Sequence, residues 1–224
     1  MTFPKENGMI HLTYLIGREC RLFRFLLKSR VAEYGGRMKS KTIAVYALMS
    51  ALVAVATIAI RIPMAATDGY LNIGDGIVLF AGVAFGPLAG FVAGGIGSAL
   101  ADLIGGYAHW VLPTLLIKGA EGAVAGILFL LLKKAKWQRF VAATVAALPA
   151  VILMVAGYFF ASYLMKGSWA VALTGLPGNA VQGGVGIVLC IALLFSTSRI
   201  KNFSALVGKN QFYEVEQDPS KKEE

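Results

Sequence analysis

The sequence predicts an all-α integral membrane protein: a bundle of about six transmembrane helices with its N- and C-termini in the cytoplasm. Three observations predict it. Of the 224 residues, 57% are hydrophobic and 15% charged, and the mean hydropathy is +0.69, outside the usual composition of soluble domains. Apolar stretches of about 20 residues, enough to cross a ~30 Å hydrocarbon core as helices, recur along most of the chain. The basic residues behind the net charge of +9 fall beside these stretches. They form no stripe interleaved with aromatics, so they read as topology signals and give no support to a nucleic-acid partner.

Residues 1–37 lack a long apolar core and carry Arg18, Arg21, Arg24, Lys28, Arg30 and Arg37, unlike a cleavable secretory signal. Two readings stand: a basic amphipathic leader, or translation starting at Met38. The membrane domain is expected over 38–200, with a charged cytoplasmic tail over 201–224. Its first span runs from about Lys41 to Ile62 and meets Arg61 and Pro63 before a polar loop at 63–74. Residues 72–105 are too long for one crossing and are broken by Gly86-Pro87, so two short spans are expected. The fourth starts near Pro113 and stops at Lys133-Lys134, the fifth runs from about Phe140 to Met165, and the sixth from about Pro177 to Ser198.

Charge bookkeeping supports six. Lys39 and Lys41, then Lys133, Lys134, Lys136 and Arg139, then Arg199, Lys201 and Lys209 all fall on one side, the cytoplasm, by the positive-inside rule. Merging spans two and three would place the Lys133 cluster outside. The loop at 63–74, the turn at 105–112 and the segment at 166–176 are then the outer ends.

The polar residues gather at those ends. Asp75 opens span two, Asp102 closes span three, Tyr107, His109 and Trp110 lie in the outer turn, and Asn179 and Gln182 open span six. Lys118 and Glu121, three apart, share one face of span four one to two turns inside the membrane. Ionisable groups at that depth are costly and usually face a cavity or a partner. The expectation is an outward-facing polar pocket contacted by Asp75, Asp102, Tyr107, His109, Trp110, Lys118, Glu121, Asn179 and Gln182. Simpler roles compete at several positions. Asp75 can cap span two, Asp102 can serve the turn at Gly105-Gly106, and the aromatics can belong to an interfacial belt.

Small residues recur at spacings of three and four: Ala44, Ala47, Ala51 and Ala54 in span one, Gly82, Gly86, Gly90, Gly94 and Ser98 in spans two and three, Gly122 and Gly126 in span four. Such rows let helix backbones approach closely, within the bundle or against another membrane protein. Chemistry-bearing motifs do not accompany them. The chain has no GxxxxGK[ST], HExxH or CxxC sequence, and Cys20 and Cys190 have no metal-ligand spacing. A pocket without such motifs predicts a binding subunit and not an enzyme, with no metal and no cofactor.

Two stretches, "YLNIGDGIVLFAGVAFGPLAG" and "GGIGSALADLIGGYAHWVLPTLLIKGAEG", together with the alanine stripe of span one and "PGNAVQGG" in span six, resemble the S components of energy-coupling factor (ECF) vitamin transporters. The pattern is closest to the branch linked to hydroxymethylpyrimidine and pyridoxine-like substrates. The resemblance covers about Met38 to Ile200. It implies a multi-pass subunit of the bacterial plasma membrane that captures a vitamin from outside at high affinity. It also implies partners, a transmembrane T component and two cytosolic ATPases, and a toppling motion in the membrane. Ala47 and Ala51 become the residues expected to dock on the T component. Two other readings compete. One is a self-sufficient secondary carrier that couples an ion through Asp102 or Glu121; the other is an intramembrane enzyme using Asp102, His109 and Glu121.

Overall fold

The computed structural model describes residues 40–200; the leader at 1–37 and the tail at 201–224 lie outside the described residues. Six helices follow one another: α1 (Ser40–Ala59), α2 (Asp75–Phe85), α3 (Pro87–Gly105), α4 (Val111–Lys134), α5 (Arg139–Lys166) and α6 (Trp169–Ser198). A single 3-10 turn, Ala108–Trp110, leads into α4. All but α2 are long and apolar enough to cross a membrane.

Helix α2 differs from the expected short span. Its 11 residues reach only ~16 Å at ~1.5 Å per residue, about half of a ~30 Å core. It is apolar all round, and all its residues except Ile77 are buried, as befits a helix enclosed by others. It packs on α3, α4 and α6. Gly86, at φ 98°, turns the chain between α2 and α3 in a conformation glycine adopts freely, and Pro87 then opens α3, where a missing N–H costs nothing.

The glycine rows are spent inside the bundle. A Cβ on Gly126 would sit 2.7 Å from the Gly82 carbonyl oxygen, and one on Gly90 2.5 Å from the Gly122 carbonyl carbon. These positions hold α4 backbone-to-backbone against α2 and α3. On α1 the buried positions Tyr46, Met49, Ser50, Val53, Ala54 and Thr57 repeat at three and one, a single helical stripe. Its Ser50 and Val53 meet α3 at Gly97. Ala44, Ala47 and Ala51 are exposed on the other side of α1.

Two expectations need correction. The polar loop after span one is a β-hairpin, β1 (Arg61–Met64) against β2 (Gly69–Asn72), pairing Arg61 with Asn72 and Met64 with Gly69. Four-residue strands are too short for alternation to announce them. The sixth helix begins at Trp169, two turns before Pro177. Ser168 caps it by accepting from the Val171 N–H at 3.4 Å, and Pro177 sits inside a long membrane helix, where neighbouring groups can compensate for the missing hydrogen bond. The supposed outer segment at 166–176 shrinks to Gly167 and Ser168, and Asn179 and Gln182 move from the mouth of the helix to its third and fourth turns.

Candidate functional site

Hairpin, turn and helix ends meet at one end of the bundle. The Asp68 carbonyl accepts from the Trp110 indole at 3.0 Å and lies 3.3 Å from His109 Nε2, and the Asp68 carboxylate pairs with Lys166 of α5. That hydrogen bond holds the Asp68 carboxyl below its usual range. Deeper in, the Tyr70 hydroxyl donates to Asp102 Oδ1 at 2.5 Å, and the Asn72 N–H donates to Gln182 Oε1 at 2.8 Å. Burial, reinforced by Asp102, keeps the Tyr70 phenol protonated well above its ordinary range. The hairpin is thereby tied to α3, α5 and α6.

Beneath it lies a cavity of about 30 Å³ lined by the hairpin (Met64, Thr67, Gly69, Tyr70, Asn72) and by side chains of every helix except α2. At ~10–15 Å³ for each water this is room for about two water molecules. Its floor is charged. Lys118 Nζ stands 2.5 Å from Asp75 Oδ1 and 2.9 Å from Glu121 Oε2, and Gln182 Nε2 donates to both Asp75 oxygens at 3.0 and 3.1 Å. All three charged side chains are buried. Asp75 does not cap α2, since its carboxylate is committed to Lys118 and Gln182; the neighbouring turn is held by Asn72, which accepts from the Gly74 N–H at 2.8 Å. Trp110 and Tyr158 meet edge to face at 5.6 Å along one wall.

The nine residues singled out in the sequence fall into three groups. Asp102, Trp110, Lys118, Asn179 and Gln182 line the cavity. Asp75 and Glu121 lie under the floor and reach it through Lys118. Tyr107 and His109 stand outside the lining: Tyr107 packs on Tyr70 at 4.6 Å, and His109 is exposed beside Asp68. Several lining groups are uncommitted among the described residues, the Ser98 and Ser162 hydroxyls included. Asp102 Oδ2 is buried without a hydrogen-bond partner, and the Asn179 amide makes no hydrogen bond among the described residues.

Sequence reasoning missed Tyr70, Ser98, Thr114, Tyr158 and Ser162, all of which line the cavity. Spacing carries the signal. Ser98 and Asp102, Thr114 and Lys118, and Tyr158 and Ser162 are pairs four apart, and each pair brings two polar groups to one face of an apolar helix.

Apolar helices around a polar cavity with a charged floor define a multi-pass membrane protein whose polar interior lies under a hairpin. The sequence places it more narrowly. Residues 37–199 match the model of the ECF-type riboflavin transporter S component family, and the chain belongs to that family. A protein of Pyrococcus woesei, described only as an uncharacterized protein in the gap 3′ region, is 41% identical over 144 residues, 61% of this chain and 93% of that protein. The thiamine precursor transporter HmpT of Lactococcus lactis subsp. cremoris (strain MG1363) is 36% identical over 109 residues, 49% of this chain. The chain spans 58% of that relative's length. A solved S component of a bacterial ECF transporter shares the fold at a TM-score of 0.53 and 18% identity, over 72% of this chain and 97% of that one. Family and fold are those of transporter S components and not those of enzymes.

Proposed function

We propose that the chain captures a single-ring vitamin or vitamin precursor, of hydroxymethylpyrimidine or pyridoxine type, for an ECF-type ABC importer. The family's description mentions riboflavin and one relative's a thiamine precursor, ligands of very different size. The observation that carries the choice is the make-up of the cavity, walled by Trp110 and Tyr158, floored by Lys118 and flanked by the uncommitted Asn179 amide. A single heteroaromatic ring would lie against the Trp110–Tyr158 wall with its polar edge toward these groups. A few placed polar groups in an otherwise apolar wall are what fix a small ligand's orientation.

By the positive-inside rule the end carrying Lys133, Lys134, Lys136 and Arg139 is cytoplasmic, so the hairpin end faces outward in the cell membrane. Binding there needs no energy source. Uptake would be driven by the partners, a T component docked on the exposed Ala47 and Ala51 face of α1 and two cytosolic ATPases. The test is reconstitution in vesicles. Ligand should accumulate only when the chain is combined with the T component and ATPases and given ATP. Accumulation by the chain alone under a proton or sodium gradient would contradict this reading and favour a self-sufficient carrier.

A further inference from the structure

We propose that Asp102 selects the ligand by accepting a hydrogen bond from an N–H or O–H on its ring edge, so that the substrate class is restricted to rings carrying such a donor. The inference rests on the single-ring reading above and adds the chemistry that reading leaves open. Asp102 is 2% exposed and lines the cavity. Its two oxygens are used unequally. Oδ1 accepts from the Tyr70 hydroxyl, whereas Oδ2 is buried with no partner among the described residues. The Thr114 hydroxyl accepts from Tyr158 at 3.3 Å and acts on the Asp102 carboxylate from nearby, so it is the protein group a ligand donor at Oδ2 would stand beside.

A buried carboxylate oxygen left without a donor is costly, and native structures rarely tolerate it without a reason. The other buried oxygen without a partner among the described residues, Glu121 Oε1, does not line the cavity. Only the Asp102 oxygen is placed to meet a ligand. Elsewhere the lining is mixed: the Lys118 ammonium is a pure donor, while the Asn179 amide and the hydroxyls of Ser98, Thr114 and Ser162 both donate and accept. Asp102 on α3 is the carboxylate of this lining, and Lys118 on α4 its ammonium. A ring that presents a donor on one edge and an acceptor such as a ring nitrogen or hydroxyl oxygen on another satisfies both sides. An analogue lacking the donor brings no partner to Oδ2 while still displacing water from it.

The experiment compares equilibrium binding of matched ligands by the purified full chain in detergent. One pair is hydroxymethylpyrimidine and its analogue with hydrogen in place of the exocyclic amine; the other is pyridoxine and its analogue lacking the phenolic hydroxyl. In whichever pair binds, the wild type should prefer the donor-bearing member by about 10- to 100-fold. Asp102→Ala should reduce that preference to about twofold or less while still binding the analogue that lacks the donor attached directly to the ring, which also reports that the variant is folded. Tyr70→Phe should keep the preference, because it removes only the group on Oδ1. Should Asp102→Ala not fold, Asp102→Asn decides: it keeps an acceptor for Tyr70, replaces the other oxygen by an NH2 donor, and should lower the preference in the same way. Equal wild-type affinity within both pairs, or an unchanged preference in folded Asp102→Ala, overturns the assignment of Asp102 and leaves the single-ring reading standing. Binding of riboflavin and of neither ring pair overturns the single-ring reading and this inference with it.

Discussion

Lys118→Met is expected to abolish ligand binding and to lower the melting temperature in detergent by roughly 10 °C. The reason lies under the cavity floor, where one ammonium serves two carboxylates at 2.5 and 2.9 Å with every side chain buried. Methionine fills a similar volume but leaves Asp75 and Glu121 facing each other without a counter-charge. Breaking a buried pair by removing one partner costs about 3–5 kcal/mol, and a chain of this size loses ~2–4 °C for each kcal/mol. The effect should be specific to the cation. Glu121→Gln leaves Lys118 paired with Asp75 and should cost much less, and adding Glu121→Gln to Lys118→Met should recover part of the loss, since the two sites are in contact and their effects are not additive. Thermal unfolding of the single and double variants measures both. A melting temperature for Lys118→Met within about 2 °C of wild type would mean that the triad does not hold the floor together.

Ala47→Trp and Ala51→Trp should block uptake in the reconstituted transporter almost completely while leaving ligand binding unchanged. Both alanines are exposed on α1, on the side away from Tyr46, Met49, Ser50 and Val53, which face the bundle. A tryptophan there disturbs no packed neighbour in this chain. It does prevent a flat partner helix from making the close backbone approach that small residues permit. Two assays on the same preparations separate the roles: binding to the purified chain and ATP-dependent accumulation in vesicles. Normal accumulation by both variants would remove these alanines from the docking face; lost binding would show instead that they support the pocket.

Much of this architecture is legible in the sequence because lipid imposes simple rules. A membrane helix must be apolar and about 20 residues long, so the spans of α1, α4 and α5 can be read to within a few residues. The break between α2 and α3 is legible because Gly86-Pro87 is an unusually strong stop and start. The rules fail where protein replaces lipid as the surroundings. Helix α2 is half a span long, which only its enclosure by α3, α4 and α6 permits. Pro177 reads as a helix start, yet the cap at Ser168 and the length of α6 place it in the interior.

The site was partly legible for a related reason. Lys118, Glu121, Asp102 and Asp75 stand out because charge inside a membrane is expensive. Tyr70, Thr114 and Tyr158 do not stand out: neutral hydroxyls cost little by comparison, and aromatics are common near interfaces. His109 and Tyr107 have the chemistry of ligand contacts, but the 3-10 turn at Ala108–Trp110 aims Trp110 inward and leaves His109 exposed. One residue of rotation in that turn decides which side chain is buried, and composition does not encode it.

The central claim is that the chamber holds one small heteroaromatic vitamin and does no chemistry on it. Native mass spectrometry of the detergent-purified wild-type chain tests this most directly, against hydroxymethylpyrimidine, pyridoxine, thiamine, pantothenate and riboflavin. The account predicts one tightly bound, chemically unchanged single-ring ligand at one per chain, with riboflavin excluded. Riboflavin bound in its place, a chemically altered ligand, or no binding from the whole panel would contradict it.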